Sequence, residues 1–365
     1  MYIKSLELRD FRNYKELHLP ISDGINIFYG DNAQGKTNIL EAVYIGGTTK
    51  SHKGSKDKDI IRLGCEESHI RIGFFKADTD YTIDMHLRKG KSKGIAIDRI
   101  PIRRSGELIG LMPVIFFSPE DLSIIKNGPG ERRRFLDMEL CQIDKIYLYH
   151  LSMYNKILGQ RNHLLKQMGK KREELIDTVE VWDEQLIAHG KSLIEERRRF
   201  VDEMNEIFGK THNRLTGGKE DVMLRYAPAV LEGDFQSRLR DNLERDVILK
   251  STSIGPHRDD LIFFEGEKDL RKYGSQGQQR TVALSLKLSE IELMKKKTGD
   301  HPILLLDDVF SELDRSRQQY LLESLRDVQT LITCTGLEEF VLKQIEARKV
   351  YKVTQGSVEE IGMLS

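Results

Sequence analysis

Residues Gly30-Asp31-Asn32-Ala33-Gln34-Gly35-Lys36-Thr37 follow the pattern G-x-x-x-x-G-K-[ST], and no other stretch constrains the chain as strongly. A loop of this kind cradles phosphate groups. Its glycines let successive backbone N–H groups curl inward around an anion. Lys36 would reach the outer phosphates, and the Thr37 hydroxyl would hold Mg2+. The flanks fit this reading. Ile25-Asn26-Ile27-Phe28-Tyr29 reads as a strand entering the loop. Thr37-Asn38-Ile39-Leu40-Glu41-Ala42-Val43 reads as a helix leaving it, with its N-terminus aimed at the phosphates. All eight loop residues are therefore nucleotide-binding candidates.

At 365 residues the chain has room for two or three domains and an ample core. Lysine plus arginine and aspartate plus glutamate both number 58, so the formal net charge is zero. That excludes a histone-like protein dominated by non-specific charge, but leaves room for one local basic face. Charged residues make up 32%, which suggests long solvated helices. No apolar run approaches the roughly 18 residues that a transmembrane helix needs. The first residues alternate like a strand and lack a signal-peptide core. Cys65, Cys141 and Cys334 show neither a metal-binding spacing nor a disulfide framework. The expected setting is a reducing cytoplasm, with no membrane.

Along the chain, residues 2–9 and 25–29 read as two strands of one sheet edge. Residues 69–76, 80–87 and 94–103 alternate as half-buried antiparallel strands do. Val114-Ile115-Phe116-Phe117 is a short buried strand. After Gly128-Pro129-Gly130 the pattern turns helical, with one long helix expected from Arg134 to about Lys166 and another from about Val179 to Phe208. Strand texture returns at Met223–Tyr226 and Asp260–Phe264, and the last hundred residues alternate helix and strand. The expected fold is α/β: a nucleotide-binding head of mixed sheets over residues 1–126 and 248–365, with a mainly helical arm inserted over 127–247.

Two further segments carry chemistry. Ile303-Leu304-Leu305-Leu306-Asp307-Asp308 is an apolar run ending in two carboxylates, as a buried parallel strand reads. Its tip would lie beside the phosphate loop. Asp307 is then placed to reach Mg2+ and Asp308 to polarise an attacking water. An aspartate pair at a strand end is also ordinary turn chemistry; the loop at residue 30 favours catalysis. Tyr273-Gly274-Ser275-Gln276-Gly277-Gln278-Gln279-Arg280 opens a helix through about Lys297. Ser275, Gln276, Gly277 and Gln278 offer a second anion site at a helix start. The same residues also read as a plain helix cap, Ser275 pairing with Gln278.

These stretches resemble the RecF family of bacterial recombination-repair ATPases, in the ABC/structural-maintenance class. The resemblance also rests on Phe11-Arg12-Asn13-Tyr14, Ser118-Pro119-Glu120-Asp121-Leu122, Arg132-Arg133-Arg134-Phe135-Leu136-Asp137, Gly255-Pro256-His257-Arg258-Asp259-Asp260 and Leu304 to Asp314, and it spans the chain. It implies a DNA-binding protein that uses ATP and Mg2+ and forms an ATP-dependent homodimer. In that dimer Ser275–Gln278 of one copy closes over the γ-phosphate held by Gly30–Thr37 of the other, and Ser311–Asp314 lies at the seam. It further implies action at single-strand gaps and single/double-strand junctions with RecR and RecO, in support of RecA loading and the SOS response. Asp308 stands where transporters carry Glu, the signature is Ser-Gln-Gly-Gln, and no histidine follows Leu331-Ile332-Thr333-Cys334-Thr335. Hydrolysis is therefore expected to be slow and DNA-stimulated, suited to a switch.

His52 and His257 are read as structural hydrogen-bonding residues. Arg12 is read either as a nucleotide contact or as part of a solvated turn. DNA contact requires positive charge, and the candidates are Arg132-Arg133-Arg134, Arg197-Arg198-Arg199, Lys89-Lys91-Lys93 and Lys50-Lys53-Lys56. Two other classes share the loop: the ATPase subunit of an ABC transporter, and a kinase acting on a small molecule.

Overall fold

The computed structural model describes residues 1–336 and 347–361, with the side chains at 169–173 and 312 excepted. Strands β1 (Tyr2–Phe11) and β2 (Tyr14–Pro20) form a hairpin, and β3 (Ile25–Tyr29) leads into helix α1 (Lys36–Thr48). A short α2 (Asp57–Ile60) precedes β4 (Glu67–Lys76), β5 (Thr79–Arg88), β6 (Gly94–Ile97) and β7 (Ile100–Pro101). Then come β8 (Val114–Phe117), α3 (Leu122–Lys126), α4 (Pro129–Ile143) and α5 (Lys145–Thr216). The next stretch holds β9 (Val222–Ala227), α6 (Phe235–Asp241), α7 (Leu243–Leu249), β10 (Asp260–Glu265), β11 (Lys268–Asp269), α8 (Leu270–Tyr273) and α9 (Gln276–Thr298). The last described elements are β12 (Ile303–Asp307), α10 (Arg315–Ser324), β13 (Thr330–Cys334), β14 (Ala347–Thr354) and β15 (Ser357–Glu360). The expected alternation of helix and strand is present, with 337–346 outside the described residues.

The chain divides into two compact units, Met1–Asp121 with Glu290–Ser365, and Leu122–Ser289. In this division residues 248–289, placed with the head from sequence, group with the helical segment.

The first unit holds two six-stranded sheets. One runs β2-β1-β4-β5-β6-β7 and is antiparallel throughout. The other runs β15-β14-β3-β13-β12-β8, parallel except for β15. Residues 2–9 and 25–29, expected to share a sheet edge, thus fall in different sheets, with β3 in a parallel sheet among non-local partners. Helix α1 packs against β4 of the first sheet and β8, β12 and β13 of the second. Ile39, Leu40, Val43 and Ile45 are fully buried in the common core. Burial of each such side chain contributes roughly 1.5–3 kcal/mol. Gly47 lets the helix sit this close: a Cβ there would stand 2.5 Å from Val114 Cγ2 and 2.7 Å from the Met112 carbonyl. Buried Gln329 ties the sheets together, donating to the Ile3 carbonyl at 2.8 Å and accepting from the Ile3 N–H at 2.6 Å.

In the second unit, the single helix expected from Arg134 to about Lys166 is broken at Asp144. The backbone turns extended there, and the Asp144 carboxylate caps α5 by accepting from the Ile146 N–H at 2.7 Å. Helix α5 then folds back on itself. Arg161 Nε lies 2.5 Å from Asp183, although residues that far apart on a straight helix would stand about 33 Å apart. Leu165, Met168 and Val179 meet in one buried cluster, so the reversal falls between Met168 and Val179.

Replacing Gly47 by Leu forces a side chain into the Met112 backbone. It should cost about 1–3 kcal/mol of stability, read as a lower urea midpoint. An unchanged midpoint would mean α1 has slack against β8.

Candidate nucleotide site and the ends of the parallel strands

Parallel strands share an end. β3, β13, β12 and β8 finish on one edge of their sheet, so the residues that follow them converge. Asp307 and Thr333 are register partners across β12 and β13. Asp307 Oδ1 accepts from Thr37 Oγ1 at 2.8 Å and from Thr333 Oγ1 at 2.6 Å. Residues 270 positions apart in sequence are thereby joined at the mouth of the loop. The Asp308 N–H donates to Thr333 Oγ1 at 3.1 Å. Asp308 sits at φ 54°, left-handed for a non-glycine, and turns the chain off the strand directly after Asp307.

The Lys36 side chain curls over its own loop. Its ammonium donates to the Gly30 carbonyl at 2.6 Å and the Asp31 carbonyl at 2.8 Å. Lys36 is buried, and a buried cation requires such acceptors. A cleft of about 380 Å³ opens beside it, lined by Asn32, Ala33, Gly35, Lys36, Thr37, Asp307 and Asp308, with Lys53 at its wall. Of the sequence candidates, Asn32, Ala33, Gly35, Lys36, Thr37, Asp307 and Asp308 thus surround one space.

The loop is braced from behind by the tip of the β1–β2 hairpin. Asn13 Nδ2 donates to the Gln34 carbonyl at 2.9 Å, and Asn13 Oδ1 accepts from Asn38 at 2.8 Å. The Tyr14 hydroxyl donates to the Gly35 carbonyl at 3.1 Å, and burial pushes its phenol well up, so it remains a donor. Gly35 has φ 114°, and a Cβ there would lie 2.5 Å from Asn13 Nδ2. On the other flank, the Gly356 N–H donates to the Gln34 carbonyl at 3.1 Å.

Arg12 is fastened into the fold and does not sit in a solvated turn. It forms a two-pronged pair with Glu41, Nε to Oε2 and Nη2 to Oε1, both at 2.8 Å. Burial opposes the Glu41 charge, but Arg12 and the Ser51 hydroxyl at 2.6 Å hold its carboxyl below the usual range. His52 stacks on Phe116 with ring centroids 3.9 Å apart, and burial draws it down to about 4. His257 accepts from the Tyr154 hydroxyl and donates to the Thr252 carbonyl, and burial draws it likewise to about 4. His257 is thus held by hydrogen bonds on both ring nitrogens, whereas the buried His52 Nδ1 has no hydrogen-bond partner among the described residues.

Ser275 and Gln278 form the reciprocal cap: the Ser275 N–H donates to Gln278 Oε1 at 3.0 Å, and the Gln278 N–H donates to Ser275 Oγ at 3.2 Å. Ser275, Gln276 and Gly277 are exposed at the start of α9.

The basic runs divide. Arg197 is buried: it reaches Asp259 at 2.8 Å, Asp137 at 2.7 Å, the Pro256 carbonyl at 2.7 Å and the Tyr147 hydroxyl at 3.0 Å. Arg132 is buried against Asp260 at 2.6 Å. Neither is available to a DNA phosphate, which corrects their candidacy. The segment Gly255–Asp260 is thereby a structural knot: Asp259 also accepts from Tyr226 and from the Ala229 N–H. In the first unit, by contrast, Lys50, Lys53, Lys56, Lys89 and Lys91 are exposed. Lys93 ties their two loops together, donating to the Thr49 carbonyl at 2.6 Å and to Asp57 at 2.9 Å.

Thr333 and the bracing pair Asn13 and Tyr14 were not among the candidate site residues. Thr333 carries no motif of its own; its role comes from its register opposite Asp307.

A parallel sheet feeding a phosphate loop, an antiparallel sheet across α1 and a helical insertion define an ABC/SMC-type head. Consistent with this, the head domain of Smc, solved bound to the C-winged helix domain of ScpA, has the same fold at TM-score 0.58 and 16% identity, with 100% of this chain and 98% of that one covered. The family model for the RecF/RecN/SMC N terminal domain matches residues 2–359. A DNA replication and repair protein RecF from Lachnoclostridium phytofermentans is 60% identical over 360 residues, covering 99% of this chain and all of the relative. A structure of the recombination mediator protein RecF-ATP in the RecFOR pathway superposes at TM-score 0.93 and 34% identity, covering 99% and 98% of the two chains. The chain therefore belongs to the RecF family of DNA replication and repair proteins. No described helix is long and apolar enough to cross a membrane.

If Arg197 is a structural cation, Arg197→Ala leaves Asp259 buried and unpaired and should cost about 3–5 kcal/mol. Arg198→Ala, at an exposed neighbour, should stay within about 0.5 kcal/mol. Denaturant midpoints that rank the two variants alike would contradict this assignment.

Proposed function

We propose that this chain is an ATP-gated DNA-binding ATPase of recombinational repair. Two copies would dimerise head to head on ATP, load at single-strand gaps and single/double-strand junctions, and separate on slow, DNA-stimulated hydrolysis. The observation that supports this reading is the contact of Thr37 with Asp307, which joins the loop at residue 30 to the strand end at residue 307. Membership in a family whose relatives are replication and repair proteins sets aside the transporter and kinase alternatives.

ATP would enter the cleft between the loop and the strand ends. The Lys36 ammonium would exchange two carbonyl acceptors for phosphate oxygens. The loop's backbone N–H groups, held in shape by Asn13, Tyr14 and Gly356, would surround the phosphate chain. Mg2+ fits the donor set, a hydroxyl on Thr37 and a carboxylate on Asp307, which are hard oxygen ligands of the right kind. Held there by Thr37 and Asp307, the cation would supply positive charge to offset that of the phosphates. Asp308 would orient and polarise the attacking water. Ser275, Gln276, Gly277 and Gln278 of a second copy would close over the outer phosphate with their helix start.

The exposed lysines at 50, 53, 56, 89 and 91 support a backbone-directed DNA surface. RecR and RecO are the proposed protein partners, and support of RecA loading and the SOS response the proposed outcome.

Sedimentation with and without ATP tests the reading. Wild type should shift from monomer to dimer on ATP, and Lys36→Met should not. Asp308→Asn should form a dimer that persists because turnover falls by at least about tenfold, or ~1.4 kcal/mol in the barrier. Equal dimer with and without ATP in the wild type, or ordinary turnover in Asp308→Asn, would refute the respective steps.

A further inference from the structure

On the antiparallel sheet, away from the phosphate loop, Glu67, His69 and His86 form a cluster outside the nucleotide chemistry. His69 on β4 and His86 on β5 are direct cross-strand partners, and Glu67 lies two residues before His69, on the same face. The imidazole rings stack with centroids 4.1 Å apart and planes 20° apart. Glu67 spans both rings: Oε2 is 2.9 Å from His86 Nε2, and Oε1 is 3.9 Å from His69 Nε2. One ligand atom from each residue lies within 4.8 Å of the other two.

We propose that Glu67, His69 and His86 bind a first-row divalent transition metal such as Zn2+, with water in the remaining positions. Two imidazoles and one carboxylate are the donor set of such ions, whereas Mg2+ and Ca2+ prefer oxygen alone. Ligand atoms about 2.0–2.2 Å from a tetrahedral ion stand roughly 3.3–3.5 Å apart. The Glu67–His86 pair, at 2.9 Å, must open by about half an ångström and give up the proton between its atoms, and the Glu67–His69 pair, at 3.9 Å, must close by about as much. Side chains on the half-exposed face of a paired hairpin can supply that without moving the backbone.

His69 and His86 line a depression of about 450 Å³ with His18, Glu16, Glu7, Arg9, Arg71 and Asp84. Arg71 is neutralised by Asp84 at 2.6 Å, with Glu7 at 4.0 Å. Arg9, the cross-strand neighbour of His69, is the cation that opposes a bound ion. The ion would therefore sit toward Glu67 and pin β4 to β5 across the register His69–His86.

Titration of chelator-treated full-length protein with ZnCl2, followed by calorimetry, tests the site. Substitution with Co2+ adds a visible-absorption signature of imidazole coordination. Wild type should bind one equivalent that the paired change His69→Ala and His86→Ala removes. The isosteric Glu67→Gln should weaken binding at least tenfold. His150→Ala, in a histidine pair on the helical segment, should leave that equivalent in place. Absence of a saturable equivalent in the wild type would overturn the proposal. So would an equivalent that survives loss of both ring ligands, or that Glu67→Gln leaves unweakened.

Discussion

A single carboxylate oxygen holds the candidate nucleotide site together. Asp307 Oδ1 takes hydrogen bonds from Thr37 and Thr333, and so links the start of α1 to the ends of β12 and β13. Charge-assisted hydrogen bonds of this kind are about twice as strong as neutral ones. The rest of the site hangs from that joint. The Asp308 N–H donates to the same Thr333 hydroxyl, and Lys36 sits one residue before Thr37. A parallel sheet makes this possible because its strands all deliver their C-terminal residues to one edge.

Around the joint, polar residues serve rigidity. The β1–β2 hairpin tip contributes Asn13 and Tyr14 to the back of the phosphate loop. Arg12, next in line, locks Glu41 of α1 and also reaches Ser55 at 2.8 Å and the Asp59 carbonyl at 2.8 Å. Ser51 completes that network from the basic loop. The helix that carries the nucleotide residues and the loop that carries Lys50, Lys53 and Lys56 are thus fastened to the same carboxylate. A change in either has a short, stiff route to the other, through ion pairs whose buried partner cannot be left alone cheaply.

Local patterns were legible where the chemistry is local. The strand, loop and helix around residue 30, the apolar strand into Asp307, and the Ser275–Gln278 cap all follow from neighbouring residues. The separation of β1 and β3 into two sheets was not legible, because pairing depends on partners far along the chain. Charge runs misled for a related reason. Arg132 and Arg197 look like any surface arginine in sequence, and only the fold brings Asp260, Asp259 and Asp137 to them. The break at Asp144 did carry a signal: an aspartate two residues before Ile146 is an N-cap pattern inside an otherwise continuous apolar repeat. Glu67, His69 and His86 were invisible for lack of register, since no spacing in the sequence says which residue of β5 faces His69.

The most direct measurement is a double-mutant cycle on ATP affinity in the presence of Mg2+, using Thr37→Ala, Asp307→Ala and the pair. If the two groups act as one joint around the nucleotide, the double variant should lose much less than the sum of the singles, with a coupling of about 1–3 kcal/mol. Losses that add to within about 0.5 kcal/mol would show two independent residues, and would contradict the central role of the Asp307 carboxylate.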